Sequence, residues 1–174
     1  MHFTPDGRFG FTPEREADTV SKIDMVSRKL VKTISFPARS RPHMLRVSPD
    51  GKEVWVQTAE ANTNVVLDAS DLSVLATQLT GKQPVTKAWT PDRRYSLVTN
   101  GQDTFAQIFD ARTFLEVKRL TIGRGGSNIG FSRDGRSAFI AVRGTNEVAV
   151  IDIAKLALAS RIKAGTEPQG LIVR

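Results

Sequence analysis

Histidine, serine and aspartate side chains are the groups in this sequence that could do chemistry, and their spacing argues against most forms of it. His2 and His43 are the only histidines, and neither has a second metal ligand at helical or hairpin spacing. No Gly-x-Ser-x-Gly elbow and no Ser-His-Asp order occurs. The absence of cysteine excludes thiolate chemistry and disulfides. We therefore expect no catalytic residue, no metal site and no cofactor.

Eight aspartates recur at regular spacing and could suggest paired-carboxylate chemistry. One set lies in Pro-Asp-Gly turns or their variants and the other ends apolar runs, and within each set the separations are 44, 42 and 42 residues. An aspartate side chain at these places bonds to nearby backbone amides and caps a turn, so we predict a structural role for all eight. The two sets are Asp6, Asp50, Asp92 and Asp134, and Asp24, Asp68, Asp110 and Asp152.

The glycine-rich segment Gly123–Asn128 resembles a phosphate-binding loop. Its sixth residue is asparagine rather than glycine, no helical pattern follows it, and no Gly-Lys-Ser/Thr is present. We interpret it as a loop between repeats.

The aspartate spacing marks an internal repeat, which takes precedence over any local reading of a sequence. The Pro-Asp-Gly motif and the aspartates that end strands keep the same rhythm, so the chain consists of four modules. The motif occurs at Phe3–Arg8, Val47–Lys52, Trp89–Arg94 and Phe131–Arg136. We place the modules at approximately 1–42, 43–84, 85–127 and 128–174 and assign 1–174 to a single domain.

Each module contains four short β-strands. The second module shows the innermost strand at Pro42–Val47, a strand at Val54–Thr58 after the turn, and the outermost strand at Val74–Leu79; a third strand is clearest at Val148–Asp152 in the last module. Four strands in about 42 residues predict an all-β fold made of β-propeller blades. Ile153–Arg161 is the nearest helix candidate, but its counterparts indicate a turn followed by a strand.

A large apolar residue recurs five positions after the turn aspartate. Trp55 and Phe139 occupy this position, which Phe11 and Leu97 share in the other modules. We interpret these side chains as core fillers rather than as a stacking platform for a ligand.

Several segments resemble one repeat family. Leu97–Asn100 is close to the Tyr-Val-Thr-Asn signature, and Gly81–Pro84 and Gly165–Pro168 match the Gly-x-x-Pro loop that accompanies it. The chain resembles the YVTN-type β-propeller repeat family of surface-layer and lactonase-like propellers over essentially its whole length. The departures are Trp55–Thr58 and Phe139–Val142 at the signature position and Gly123–Ser127, which lacks the proline.

The resemblance implies a seven-bladed propeller, in a family frequently exported to the periplasm or cell surface. It favours a non-enzymatic binding or interaction scaffold at the cell envelope. The alternative is a lactonase-like or haem-binding propeller whose active residues lie partly in missing blades. Met1–Asp6 is not a signal peptide, so an envelope location refers to a full-length parent, and a cytoplasmic location stays open.

Four modules cover only part of a seven-bladed ring, and an open ring exposes apolar blade faces that favour self-association. Three arrangements are possible. The chain is part of a longer propeller, or two copies close an eight-bladed ring, or a C-terminal strand at Leu171–Val173 completes the first blade and closes a four-bladed ring. Pro168–Arg174 is predicted as an innermost strand.

The family geometry implies where ligands bind. Loops entering the innermost strands and loops joining second to third strands lie on one face, around a central channel. We expect His43 to line this channel rather than to ligate haem; ordinary solvated loops are the alternative. The ligand-binding candidates are His43, Asn128, Gln169, Arg41, Lys82, Arg124 and Arg143, with Val85 and Arg39 nearby.

The chain carries 25 basic and 18 acidic residues, a net charge of +7. This balance favours an anionic ligand or protein partner, including nucleic acid as a further alternative function. Basic residues spread along the chain are also consistent with a plain solvated surface. No stretch approaches the roughly 20 apolar residues of a membrane-spanning helix.

Overall fold

A computed structural model describes residues Met1–Val173. The described residues form sixteen β-strands and one 3₁₀ turn, Arg143–Thr145. The strands in the first half are β1 His2–Phe3, β2 Phe9–Glu14, β3 Thr19–Asp24, β4 Lys29–Ser35, β5 Pro42–Val47, β6 Glu53–Thr58, β7 Thr63–Asp68 and β8 Val74–Leu79. Those in the second half are β9 Pro84–Trp89, β10 Tyr95–Asn100, β11 Phe105–Asp110, β12 Glu116–Thr121, β13 Gly126–Phe131, β14 Ser137–Val142, β15 Glu147–Asp152 and β16 Ala157–Lys163.

Every four consecutive strands form one antiparallel sheet in chain order, which gives the sheets β1–β4, β5–β8, β9–β12 and β13–β16. The predicted all-β fold of four-stranded modules is therefore confirmed. Ile153–Arg161 is confirmed as a turn leading into β16.

The predicted innermost strand at Pro168–Arg174 is wrong in its described part. Residues 164–173 form no strand, and Arg174 lies outside the described residues. The sheet β1–β4 accordingly consists of its own four strands, which contradicts closure of that sheet by Leu171–Val173. A strand forms only where its amides and carbonyls pair with a neighbouring strand, and residues 164–173 join none of the four sheets.

The strands group into two compact units, Met1–Leu79 with sheets β1–β4 and β5–β8, and Thr80–Arg174 with sheets β9–β12 and β13–β16. The module limits and the assignment of the whole chain to one domain stay predictions.

Each unit has its own apolar core, since both faces of a strand are buried where two sheets pack. In the first unit Val54, Val56 and Leu67 pack with Phe11 and Val20. In the second unit, the buried cluster includes Leu97, Ile108, Ile122, Ile140 and Ile151. Most of these side chains are β-branched or aromatic, types that suit a pleated, buried surface.

The core-filler prediction is confirmed for three of the four register positions. Trp55, Phe11 and Leu97 are fully buried, and Trp55 also donates its indole hydrogen to Glu53 Oε2 at 2.6 Å. Phe139 is only half-buried and contacts a cavity of about 330 Å³ that Val148 and Leu171 also line.

Candidate functional site

The two ends of each sheet differ in kind. The strand order places the Pro-Asp-Gly turns and the turns between third and fourth strands at one end, called here the turn end. The loops between second and third strands, and those that lead into the next innermost strand, lie at the opposite end, called here the loop end. The predicted binding residues all belong to the loop end.

The turn end is built the same way four times. In the first turn the Thr4 hydroxyl donates to Asp6 Oδ1 at 2.5 Å, and the amide of Arg8 donates to the same oxygen at 3.0 Å. The amide of Gly7 closes the turn on the Thr4 carbonyl at 2.8 Å. The same three bonds recur around Asp50, Asp92 and Asp134.

The aspartates that end the third strands also cap turns. Asp24 Oδ1 accepts the amides of Val26 and Ser27 at 2.9 and 2.8 Å, and Asp110 Oδ1 accepts those of Arg112 and Thr113. The structural role predicted for the aspartates is confirmed. Their carboxylates are committed to backbone amides and are therefore poorly suited to act as general acids or bases.

These hydrogen bonds favour the ionised carboxylates. The Thr4 hydroxyl and the Arg8 amide lower the pKa of Asp6, and the Ser132 hydroxyl does the same to the pKa of Asp134. Among the strand-ending aspartates, the Ser27 amide is the main cause of the lowered pKa of Asp24.

At the loop end of the first unit, His43 lies at a β-bulge. Pro42 pairs with Thr58 and Met44 with Gln57, so His43 is the extra residue between them and its side chain is exposed. A bulge redirects a side chain out of the regular ladder, and here it places the His43 imidazole in solvent.

Arg41 has its charge neutralised locally. Its guanidinium forms ion pairs with Glu60 at 3.0 Å and Glu16 at 3.5 Å. The Asp18 carboxylate accepts the backbone amides of Arg39 and Arg41 at 2.7 and 2.6 Å and fixes the loop that both occupy. Arg41, the binding candidate in the first unit that carries a positive charge, is therefore part of a closed polar network.

The loop end of the second unit forms a hydrogen-bonded rim. Lys82 donates its amide to Asp103 Oδ2 at 2.5 Å, and the Asp103 carbonyl accepts the amide of Gly125 at 3.3 Å. The amide of Arg143 donates to the Gly125 carbonyl at 3.1 Å, and Gly144 donates to the Arg124 carbonyl at 3.0 Å. The structure thus brings together three of the predicted residues, Lys82, Arg124 and Arg143, on neighbouring loops.

These three cations lack local carboxylate partners. Lys82 and Arg124 are exposed, and none of the three side chains forms an ion pair within residues 1–173. The Nε atom of Arg143 is buried and has no hydrogen-bond partner among those residues. A buried donor without an acceptor costs free energy, so this guanidinium is suited to an added acceptor.

Glycine 101 leaves room for the Arg143 guanidinium. A methyl group at Gly101 would lie 2.9 Å from Val85 Cγ2, 3.3 Å from Gln83 Oε1 and 3.5 Å from Arg143 Nη2. The side-chain oxygen of Gln83, the side chain of Val85 and the Arg143 guanidinium therefore converge on the small space beside Gly101. The part that Gln83 and Gly101 play was not recognisable from the sequence.

Asn128 and Gln169, the remaining candidates, lie close to this rim, but their side chains contribute no charge to it. Ser127, not Asn128, stands in register with His43 and Val85, because these three residues are each 42 apart. Ser127 donates its hydroxyl to the Gln169 carbonyl at 3.2 Å. Asn128 is half-buried, and its side-chain oxygen accepts the amide of Ile129, while Gln169 is exposed.

The excess positive charge belongs to one unit, a feature that the sequence interpretation missed. Met1–Leu79 contains ten basic and ten acidic residues, whereas Thr80–Arg174 contains fifteen basic and eight acidic ones. The whole net charge of +7 therefore resides in the second unit. A count by half-chain would have found it.

A second feature that sequence reasoning missed is Lys22, which is 4% exposed. Its Nζ donates to the carbonyls of Ala69 and Ser70 at 2.8 and 2.7 Å and lies 4.1 Å from the centre of the Phe9 ring. Burial lowers the pKa of Lys22, while the charges of Asp68 and Asp71 oppose this effect. Lys22 borders a cavity of about 530 Å³ at the turn end of the first unit.

No group of three or more histidine, aspartate or glutamate side chains that could hold a metal ion occurs within residues 1–173. The same residues contain no helix with the length and apolar character needed to cross a membrane.

No protein-family model matches the chain, and no curated protein matches its sequence. Solved structures do match. Hydrazine synthase from Kuenenia stuttgartiensis superposes with a TM-score of 0.83 and 21% identity over 92% of this chain and 47% of that one. Proposed 6-phosphogluconolactonases from Bacteroides uniformis and Bacteroides fragilis give TM-scores of 0.82 and 0.79 at 20% and 19% identity, each over 95% of this chain and 54% of the other.

The chain thus spans about half the length of the structures that it matches. At this identity the likeness shows the fold alone, which is that of β-propeller blades. The prediction of a YVTN-type family is met only at the level of the fold.

Proposed function

We propose that this chain is a non-enzymatic β-propeller binding scaffold that takes a small anionic ligand at the loop end of Thr80–Arg174. One observation carries the proposal: Arg143 directs a guanidinium with a buried, unpartnered Nε toward the space left by Gly101. A phosphate or carboxylate can accept two parallel hydrogen bonds from one guanidinium, which is a geometry that water reproduces poorly.

Neighbouring groups support an anion rather than a neutral ligand. Lys82 and Arg124 add two exposed positive charges on adjoining loops. Asp103 is the acidic side chain within this rim, and it is engaged by the Lys82 amide. In the first unit, by contrast, Arg41 is already paired with Glu16 and Glu60.

Binding of 6-phosphogluconate, measured by titration calorimetry against gluconate, tests the proposal. We expect 6-phosphogluconate to bind and Arg143→Gln to weaken it about tenfold or more, because hydrogen bonds to charged groups contribute about 1.5–3 kcal/mol. Lys155→Gln is the matched control, since it removes the same charge at the turn end of the same unit. Equal affinities for the two variants, or equal binding of gluconate, would contradict the proposal.

The second candidate function is lactone hydrolysis, favoured by the proposed 6-phosphogluconolactonase activity of two structural neighbours. The same rim would then hold the phosphate of a phosphorylated lactone. Proton release from 6-phosphogluconolactone distinguishes the two functions. We expect the rate to equal that of spontaneous hydrolysis. A faster rate that Arg143→Gln abolishes would show that the protein is a lactonase rather than a non-enzymatic scaffold.

The YVTN-type resemblance further supports a place at the cell envelope for the parent protein, and a haem-binding role stays an untested alternative. Fractionation of the source cells with an antibody against this chain tests the location. Recovery in the cytosolic fraction alone would contradict it.

A further inference from the structure

The turn end of the second unit departs from the repeated motif in two places. In the third turn Arg93 stands where the other turns have Gly7, Gly51 and Gly135. In the fourth turn Arg133 stands where the others have proline. Both departures introduce arginine, and both fall in Thr80–Arg174.

Arg93 occupies its position at a conformational cost. Its φ is +60°, in the left-handed region, where the three equivalent glycines have φ of +69°, +77° and +71°. A side chain disfavours this region, whereas glycine adopts it freely. The exposed Arg93 side chain forms no hydrogen bond or ion pair within residues 1–173 that would compensate. Eleven other described non-glycine residues also have a positive φ, so Arg93 is distinguished by placing a charged side chain where the equivalent turns have glycine.

The two modified turns are neighbours. A methyl group on Gly135 would lie 3.3–3.5 Å from the ring of Pro91, so the third and fourth turns contact each other. Arg94 and Arg136 follow at the position that is basic in all four turns, and both are exposed. We call these two turns the arginine turns, after Arg93, Arg94, Arg133 and Arg136.

The charge of this end differs from that of the equivalent end in the first unit. The turns 90–94, 110–115, 132–136 and 152–156 contain six basic and four acidic residues. The turns 4–8, 24–28, 48–52 and 68–73 contain three basic and five acidic ones. The repeated aspartates are common to both, so the difference comes from three added basic residues in the second unit and from Asp71 in the first.

We propose that the arginine turns bind the phosphodiester backbone of a single-stranded nucleic acid. Arginine presents a planar fork that matches phosphate oxygens, and these two turns contain four arginines against two carboxylates, Asp92 and Asp134. The Asp92 and Asp134 carboxylates in these turns accept hydrogen bonds from the Thr90 and Ser132 hydroxyls, and Asp134 also pairs with Arg136 at 3.9 Å. The surface lies at the opposite end of the strands from the Arg143 rim and does not depend on the proposed small ligand.

Fluorescence anisotropy of a labelled oligonucleotide of about 20 nucleotides, titrated at several salt concentrations, tests the proposal. The variant Arg93→Gly/Arg133→Pro restores the motif of the other turns. We expect it to bind about tenfold more weakly at low salt and to lower the salt slope by about 1.4, the value for two lost phosphate contacts on a single strand. Its melting temperature should equal or exceed that of the unmodified chain, because the strain at residue 93 is removed.

Lys118→Gln/Lys163→Gln is the matched control, since it removes the same charge from exposed sites on outer strands of the same unit. Retained binding in this control together with loss in the motif-restoring variant supports the proposal. Equal losses in both variants would show a general charge effect and overturn it. Absence of oligonucleotide binding at low salt, or binding only to anionic lipid vesicles or to heparin, would also overturn it.

Discussion

The units Met1–Leu79 and Thr80–Arg174 share one plan of two four-stranded sheets with matching turns, yet the arginines Arg41 and Arg143 at their loop ends differ. The first unit has no net charge, and its loop-end Arg41 is ion-paired twice. The second carries the net charge of +7, and its loop-end Arg143 keeps a buried Nε without a partner. Closed networks contribute to folding, whereas open donors are available to a ligand.

The comparison also separates two kinds of position. Residues that keep the repeat, such as Asp6 and Asp134, make the same hydrogen bonds wherever they occur. Residues that break the repeat, such as Arg93 and Arg133, have side chains that form no ion pair within residues 1–173. In a tandem array the exceptions are therefore better functional candidates than the conserved-looking positions.

The largest expected effect concerns one register position in the two units. Trp55→Ala should cost about 3–5 kcal/mol, because a fully buried aromatic leaves a cavity in the first unit. Phe139→Ala should cost about 1–2 kcal/mol, because Phe139 is half-buried beside an existing cavity. Urea unfolding of both variants checks this. Equal losses would mean that the two positions are equally packed.

Acidification should affect both units alike. The folded-state pKa values of Asp6 and Asp134 are lowered, mainly by the Thr4 and Ser132 hydroxyls. A lowered carboxyl pKa contributes stability that is present above the unfolded value of about 3.9 and is lost as pH falls through the folded value. The urea midpoint should therefore stay level from neutral pH to about pH 5 and decline below about pH 4.

Thr4→Ala and Ser132→Ala sharpen this test, since each removes the hydroxyl that bonds to one of these aspartates. Both variants should weaken the acid-dependent part of the stability, and to a similar extent. A change confined to one variant would show that the two turns, despite the same bonds, are not equivalent.

The sequence was sufficient to predict the strands, because the spacing of Asp6, Asp50, Asp92 and Asp134 fixes the repeat and each repeat must pair its backbone locally. It also identified Lys82, Arg124 and Arg143 as loop residues. It did not reveal that Arg143 reaches Gly101, since that contact joins loops of two different sheets.

The strand expected at Pro168–Arg174 failed for a related physical reason. Pattern alone marked the segment as innermost, but a strand needs a partner ladder, and residues 164–173 have none. Lys22 was missed because a lysine at an apolar register position is stabilised here by carbonyls of the neighbouring sheet, a contact that sequence spacing does not encode.

A smaller effect separates turn glycines that face a proline from one that does not. In the first unit Gly51 faces Pro5, since an added methyl group would lie 2.9 Å from its ring, as Gly135 faces Pro91 in the second. Gly7→Ala should cost about 1 kcal/mol, because φ is +69° but nothing lies near the added methyl group. Gly135→Ala should cost more, since its methyl group also presses on Pro91. Arg93→Gly should conversely gain about 0.5–1 kcal/mol, the relief of strain less the added freedom of the unfolded chain. Thermal unfolding of the three variants checks the order, and a loss in Arg93→Gly would contradict the assigned strain.

The smallest expected effect bears most directly on the comparison between the units. Arg41→Gln should cost at most about 0.5–1 kcal/mol, because partly exposed ion pairs contribute little. Arg143→Gln should cost nothing or raise stability slightly, because it removes a buried donor that has no acceptor. Urea unfolding at low salt distinguishes the two. If Arg143→Gln proved the more destabilising, its guanidinium would serve the fold, and the open donor at the loop end would no longer argue for a ligand.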